Sequence, residues 1–410
     1  MKVYGSNAIR NVAFVGHGAS GKTSLVDALA WVSGSGRRHG SIKDGTTLTD
    51  YSADEIDRKH SINLGIGFAE WLDTKLNLID TPGYLDYFGE VVTGLHAADA
   101  AVVVVSGTGG VEVGTEKVWE VCDQLHLPRM LFVSMMDKEH ADFERVYQDI
   151  RAHLTPKVVP VEVPIGDGPA FHGIINLFSG HCHNYKKGTA KSEYEVVPVP
   201  DEYRQRYQEY SEQLTEAVAS TDDELIERYL AGEEIPRDQF IGAVKRAMLA
   251  GQIVPLFCGS ATLTYGLRTL LKKMVELLPS PAEVKPPVEA PLVGRVFKTL
   301  SEAHVGDVTL FRLYRGELRN GEHVDAPLQG RDLRPAPLAG LQVRGVVGRQ
   351  GLAQGGEGQL LRRAVRHRRP PIATSDVPAC AGCGTSPCRA GSRCGRRSAR
   401  GSGPRRTRAR

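Results

Sequence analysis

Apolar residues in the first third of the chain fall in short, near-continuous runs at 12–15, 76–79, 101–105 and 130–133. Val, Ile, Leu and Ala dominate them, which suits strands covered on both faces of a parallel sheet. Between them the spacing predicts helices over 23–31 and 115–125, and a fifth strand run lies far downstream at 253–258. The order predicts a doubly wound α/β sheet with a long insertion before its last strand. The insertion, about 156–251, carries β-like stretches at 158–163 and 173–177 and then polar helices. Within it Thr221 begins a capping box with Glu224, and Gly232 suits a left-handed helix end. A proline-rich linker at 279–291 leads to alternating strands at 292–297, 307–314 and 322–324, with Asn320-Gly321 as a turn signal. That reads as the opening of a small β-barrel. The expected organisation is a first domain over 1–287, the start of a barrel over 288–332 and a tail over 333–410.

The tail breaks the pattern. No Phe, Trp or Tyr follows Tyr314, and no Lys follows Lys298. Through Asp332 there are 34 Lys and Arg against 46 Asp and Glu, a charge of −12; residues 333–410 hold 17 Arg and 2 acids, +15, so the net +3 conceals an acidic body. A stretch this poor in apolar residues is expected to be disordered. It reads as GC-rich coding DNA translated out of frame from about 325–355, a basic RNA-binding tail being the other reading. Cys380 and Cys383 have C-x-x-C spacing, yet no flanking strand or helix pattern would hold a zinc ligand pair. Cys122, Cys182 and Cys258 are scattered through the body, as in a reduced compartment. There is no run near the ~20 apolar residues of a membrane span and no signal-peptide core. A cytoplasmic monomer without membrane or DNA partners is expected, the acidic body arguing against a broad nucleic-acid face.

The chemistry concentrates after the first strand. Gly16-His17-Gly18-Ala19-Ser20-Gly21-Lys22-Thr23 is a complete G-x-x-x-x-G-K-[ST] motif between a strand and a helix. Its backbone N–H groups and the helix N-terminus suit phosphates. Lys22 would reach the outer phosphates, and Thr23 would offer a hydroxyl to Mg²⁺. Asp80-Thr81-Pro82-Gly83 ends the second strand run, placing Asp80 to hold Mg²⁺ through water and Gly83 to meet the terminal phosphate.

From Asp80 to Glu90 and from Ala97 to Trp119 the chain resembles elongation factor G, a translational GTPase, and in particular the branch sometimes called the second type. The likeness runs from about 8 to 325, including the start of the second domain at 291–299. It implies GTP and GDP as ligands, Mg²⁺ as cofactor and the ribosome as partner. The family's translocating domains are not expected within this chain.

By resemblance, residues 58–62 fall on switch I and Ser61 takes the place of the family's Mg²⁺-binding Thr. The guanine motif N-K-x-D becomes Ser134-Met135-Met136-Asp137. Asp137 keeps the bidentate contact to guanine, while Met135 covers the base without the charge of Lys. Ser260-Ala261 matches the remaining base loop, whose N–H meets the guanine O6. The family's water-orienting His after D-T-P-G is Tyr84, a phenol that stays neutral at pH 7 and is a poor base. Gly18 and His60 replace the family's two bulky gate residues, and His60 is a candidate to stand in for the absent His. Slow or rearranged hydrolysis is the expectation. The alternatives are a GTP-binding regulator that barely hydrolyses, a non-functional truncated fragment, or a general P-loop ATPase or kinase, against which Asp137 speaks.

Overall fold

The structure is a computed structural model. It describes Lys2 and residues 4–317 apart from 190, 192, 234, 285–288, 303–305 and the side chains of 301, 302, 306 and 307, and beyond them the backbone of three short strands. Apart from those strands, the end of the expected barrel, the turn at Asn320-Gly321 and the expected tail with its four cysteines lie outside the described residues.

The chain opens with β1 (Ile9–Val15) and α1 (Lys22–Ser33), followed by α2 (Ala53–Arg58), β2 (Gly65–Trp71) and β3 (Thr74–Asp80). Then come α3 (Phe88–Ala97), β4 (Ala100–Ser106), α4 (Val113–Gln124), β5 (Arg129–Ser134) and α5 (Phe143–His153). The insertion contributes β6 (Val158–Pro160), β7 (Glu162–Ile165), β8 (Gly173–Asn176), β9 (His181–Tyr185), β10 (Tyr194–Pro198), α6 (Arg204–Ala219), α7 (Asp223–Leu230) and α8 (Arg237–Leu249). β11 (Val254–Cys258) and α9 (Leu267–Leu277) follow the insertion. After them come β12 (Val293–Glu302), β13 (Gly306–Arg315), β14 (His323–Val324), β15 (Leu341–Val343) and β16 (Val365–Arg366).

Seven strands form the central sheet in the order β2-β3-β1-β4-β5-β11-β6, parallel except for β2. Every residue of β4 is buried, which is why it reads as Ala and Val up to its final Ser106. The carboxyl ends of β1, β3, β5 and β11 lie on one edge, which carries the P-loop, Asp80, Ser134–Asp137 and Ser260. An open α/β sheet binds its ligands at this edge.

Two details depart from the sequence reading. The stretch 158–163 divides: β6 joins the central sheet beside β11, while β7 starts a separate antiparallel sheet in the order β10-β9-β8-β7. The α7 cap is Asp222, whose carboxylate accepts from the Leu225 N–H, and not Thr221, whose hydroxyl donates back to the Val218 carbonyl. Asp is as good a cap as Thr and sits one residue closer to the helix. Gly232 does take the left-handed conformation after that helix, at φ 71°. Among the described residues no helix is long and apolar enough to cross a membrane. Cys122, Cys182 and Cys258 are buried thiols.

Where β7 meets the main body, Glu162 is fully buried and neither carboxylate oxygen has a partner at hydrogen-bonding geometry. Burial pushes its carboxyl up to about 8, against weaker opposing pulls from the Cys258 backbone, Thr269, Lys273 and Asn176. A carboxyl that binds its proton more tightly when folded favours the native state below its unfolded value of ~4.3. That contribution is lost as pH rises towards the folded value. Glu162→Gln should therefore raise the melting temperature at pH 8, by an amount equivalent to about 1 kcal/mol or more, and change little at pH 5. Thermal melts of parent and variant at the two pH values check this.

Candidate functional site

The P-loop turns back tightly enough for Lys22 to hold its own loop. The Lys22 ammonium donates to the carbonyls of Gly16 (3.0 Å) and His17 (2.6 Å) and is only 5% exposed. No side chain caps α1, so its first N–H groups remain for an outside acceptor, as a phosphate site requires. Ser20, within the same loop, has a buried hydroxyl with no partner. His17 points away from the loop, accepting from the Gly114 N–H at 3.2 Å and lying 3.4 Å from Glu112. Ala19 takes a left-handed conformation, φ 59°.

The segment after β3 closes over this loop. A Cβ on Gly83 would fall 2.4 Å from the Lys22 ammonium and 2.6 Å from the His17 carbonyl, so only glycine allows the backbone this close. Burial lowers the Lys22 proton affinity and raises that of Asp80, and Asp50 adds to the Asp80 shift. Opposite charges supplied by a polyphosphate at Lys22 and a cation at Asp80 would offset both.

The metal-binding candidates converge. Thr23 and Ser61 place their hydroxyls 3.0 Å apart, both buried. Thr49 donates to one Asp80 oxygen at 2.6 Å, and the other Asp80 oxygen is buried without a partner. Burial pushes the Asp50 carboxyl up to about 6, with the Ser61 side chain the largest opposing pull. Two hydroxyls and one free carboxylate oxygen are hard donors that fit Mg²⁺ completed by water and phosphate oxygens. Among the described residues no cluster of three or more His, Cys, Asp or Glu forms a metal site of another kind.

Sequence reasoning did not single out Thr49, Asp50 or Glu55. Glu55 is 2% exposed, closes a capping box with Ser52, and accepts from the N–H groups of Ile62 (3.1 Å) and Asn63 (3.0 Å). It thereby fixes the backbone just after Ser61. The Ser52-x-x-Glu55 spacing was the available signal.

Beside the Gly83 contact lies an aromatic pair. The Tyr84 ring sits where a Cβ on Gly18 would meet it at 3.2 Å, and it packs against His60 with ring centroids 4.8 Å apart. The missing side chain at Gly18 is what makes room for the phenol. His60 Nδ1 lies 3.1 Å from the Arg58 carbonyl, and Tyr84 is 43% exposed.

At the other end of the pocket the Ser134 hydroxyl sits within hydrogen-bonding distance of the Ser20 carbonyl (2.6 Å) and the Val105 carbonyl (3.2 Å). It joins the base loop to the P-loop. The Met136 N–H donates to the Gly259 carbonyl (3.2 Å), and Ser260 and Ala261 are buried beside it. Met135 is left-handed, φ 60°, with its methyl against Gly21. Asp137 keeps one buried oxygen without a partner, and Lys138 lies 3.5 Å from the other. An acceptor held in this way fits a ligand edge that carries adjacent N–H donors.

A family profile for the elongation factor Tu GTP binding domain matches residues 7–280. A solved structure of a protein from Thermus thermophilus superposes with a TM-score of 0.71 at 36% identity, covering 77% of this chain and 47% of that one. The present chain thus spans about half the length of that protein.

Lys22→Ala should abolish nucleotide binding, and Met135→Lys should tighten guanine nucleotides by about 1 kcal/mol by placing a cation over the base. Equilibrium titration with fluorescent GDP reads both. Unchanged affinity in the first variant would remove the phosphate assignment, and unchanged affinity in the second would remove Asp137 from a base site.

Proposed function

Because the chain belongs to the elongation factor Tu GTP-binding-domain family, we propose that it is a GTP-binding translation factor of the elongation factor G type that hydrolyses GTP to GDP and phosphate in connection with the ribosome. The observation that carries this reading is the closed cradle in which Lys22, Gly83, Thr23, Ser61 and Asp80 meet. The Asp80–Glu90 and Ala97–Trp119 stretches support the second-type branch.

In this reading the P-loop N–H groups from Gly16 to Thr23 and the Lys22 ammonium hold the phosphates. Asp137 and the backbone at Ser260-Ala261 hold the guanine. Thr23, Ser61 and Asp80 would hold Mg²⁺, which neutralises charge on the phosphate oxygens. The Gly83 N–H is offered to the terminal phosphate. Tyr84 and His60 flank the space beside it, where an attacking water is oriented. That water bonds to the terminal phosphorus, the bond to the bridging oxygen breaks, and GDP and phosphate leave. Tyr84 and His60 orient the water while the phosphate accepts its proton.

A regulator with little hydrolysis is the second reading. It is favoured by the exposure of Tyr84 and by the Arg58 carbonyl already engaging His60. Single-turnover hydrolysis with and without ribosomes separates the two. His60→Ala should slow the ribosome-stimulated rate at least about tenfold, and Tyr84→His should raise it. No ribosomal stimulation of the parent would favour the regulator, and a His60→Ala variant as fast as the parent would make that histidine a bystander.

A further inference from the structure

The β12–β13 hairpin grips α3 at both ends, and the two grips differ in kind. At the C-terminal end Arg312 donates to the carbonyls of Ala97 (3.1 Å) and Ala98 (2.7 Å) and pairs with the buried Asp99, while the Tyr314 hydroxyl donates to the His96 carbonyl at 3.0 Å. A cation on the last carbonyls of a helix is a favourable anchor. None of these partners belongs to a switch.

At the N-terminal end Lys298, with its side chain only 6% exposed, pairs with Glu90 in the first turn of α3 and donates to the Asn63 side-chain carbonyl at 3.0 Å. The Glu90 oxygen that receives Lys298 also accepts the Leu64 N–H at 2.9 Å. Asn63 and Leu64 follow Ser61 by two and three residues, and Glu90 lies seven residues past Gly83. One lysine of the hairpin therefore ties the segment after Ser61 to the helix after Gly83.

We propose that Lys298 is a positioning residue through which the barrel hairpin favours the closed switches. The inference rests on the GTP-binding reading above. When the Ser61 hydroxyl meets Thr23, Asn63 and Leu64 reach Lys298 and Glu90. When that segment moves away, a nearly buried ammonium and its carboxylate lose neutral partners that are hard to replace. The hairpin therefore weights the closed state, which a third phosphate also favours, over the state that GDP tolerates.

The test uses the full chain and three variants: Lys298→Met, which keeps the stem, Lys298→Arg, which keeps the charge, and Glu90→Gln. Affinities for GDP and for a non-hydrolysable GTP analogue are titrated, and tryptic cleavage at the exposed Arg58–Lys59 pair is timed with the analogue bound. Lys298→Met and Glu90→Gln should weaken the analogue about fivefold or more, leave GDP within about twofold, and speed cleavage; Lys298→Arg should recover much of the loss. Equal loss for both nucleotides would make Lys298 a plain packing residue and overturn the proposal. Parent-like affinities and parent-like cleavage would overturn it as well. A parent that binds neither nucleotide would overturn the GTP-binding reading, and this proposal with it.

Discussion

A nearly buried ammonium sets the constraint around which this site is arranged. Lys22 sits between its own loop and Gly83, satisfied by the carbonyls of Gly16 and His17. An ionised amine in such a place costs stability unless its donors are filled and a counter-charge is near. The loop supplies the first need by folding back on its own lysine, and Asp80 and Asp50 supply part of the second. The close approach of Gly83, the burial of Thr23 and the position of Ser61 all follow from packing backbone around that charge. An anionic ligand would complete the arrangement.

The same closeness shapes the packing around Gly83. A tyrosine after Gly83 needs space, and Gly18 leaves it, so Tyr84 lies over the loop instead of pointing away. His60 then finds an aromatic face to pack on. Three substitutions that look independent along the chain are thus one packing solution. At the opposite end Ser134 bridges the P-loop and β4, so the loop after β5 and the loop after β1 are joined through a single short side chain.

Much of this was legible in the sequence. Buried parallel strands produce unbroken apolar runs, and β1, β3, β4, β5 and β11 were readable for that reason. What stayed hidden depends on contacts distant in sequence or on turns without a signature. The β2–β3 hairpin turns through Leu72 and Asp73, both left-handed (φ 47° and 54°), where Asn-Gly would have announced it. α2 is six residues long, too short for periodicity, and its Glu55 shows its importance only through Ile62 and Asn63. The contact of Lys298 with Glu90 spans more than two hundred positions, and no local pattern encodes it. Thr221 and Asp222 are both good caps, and only the path of the chain chooses between them.

The central claim is that the pocket at the carboxyl edge of the sheet is a guanine-nucleotide site, with Lys22 at one end and Asp137 at the other. Its most direct measurement is displacement of fluorescent GDP from the full chain by GTP and by ATP in the presence of Mg²⁺. A buried acceptor such as the free Asp137 oxygen rejects a base lacking the matching donors, so GTP should displace the probe at concentrations at least about 100-fold below those of ATP. Equal displacement by the two nucleotides, or no probe binding at all, would contradict the account.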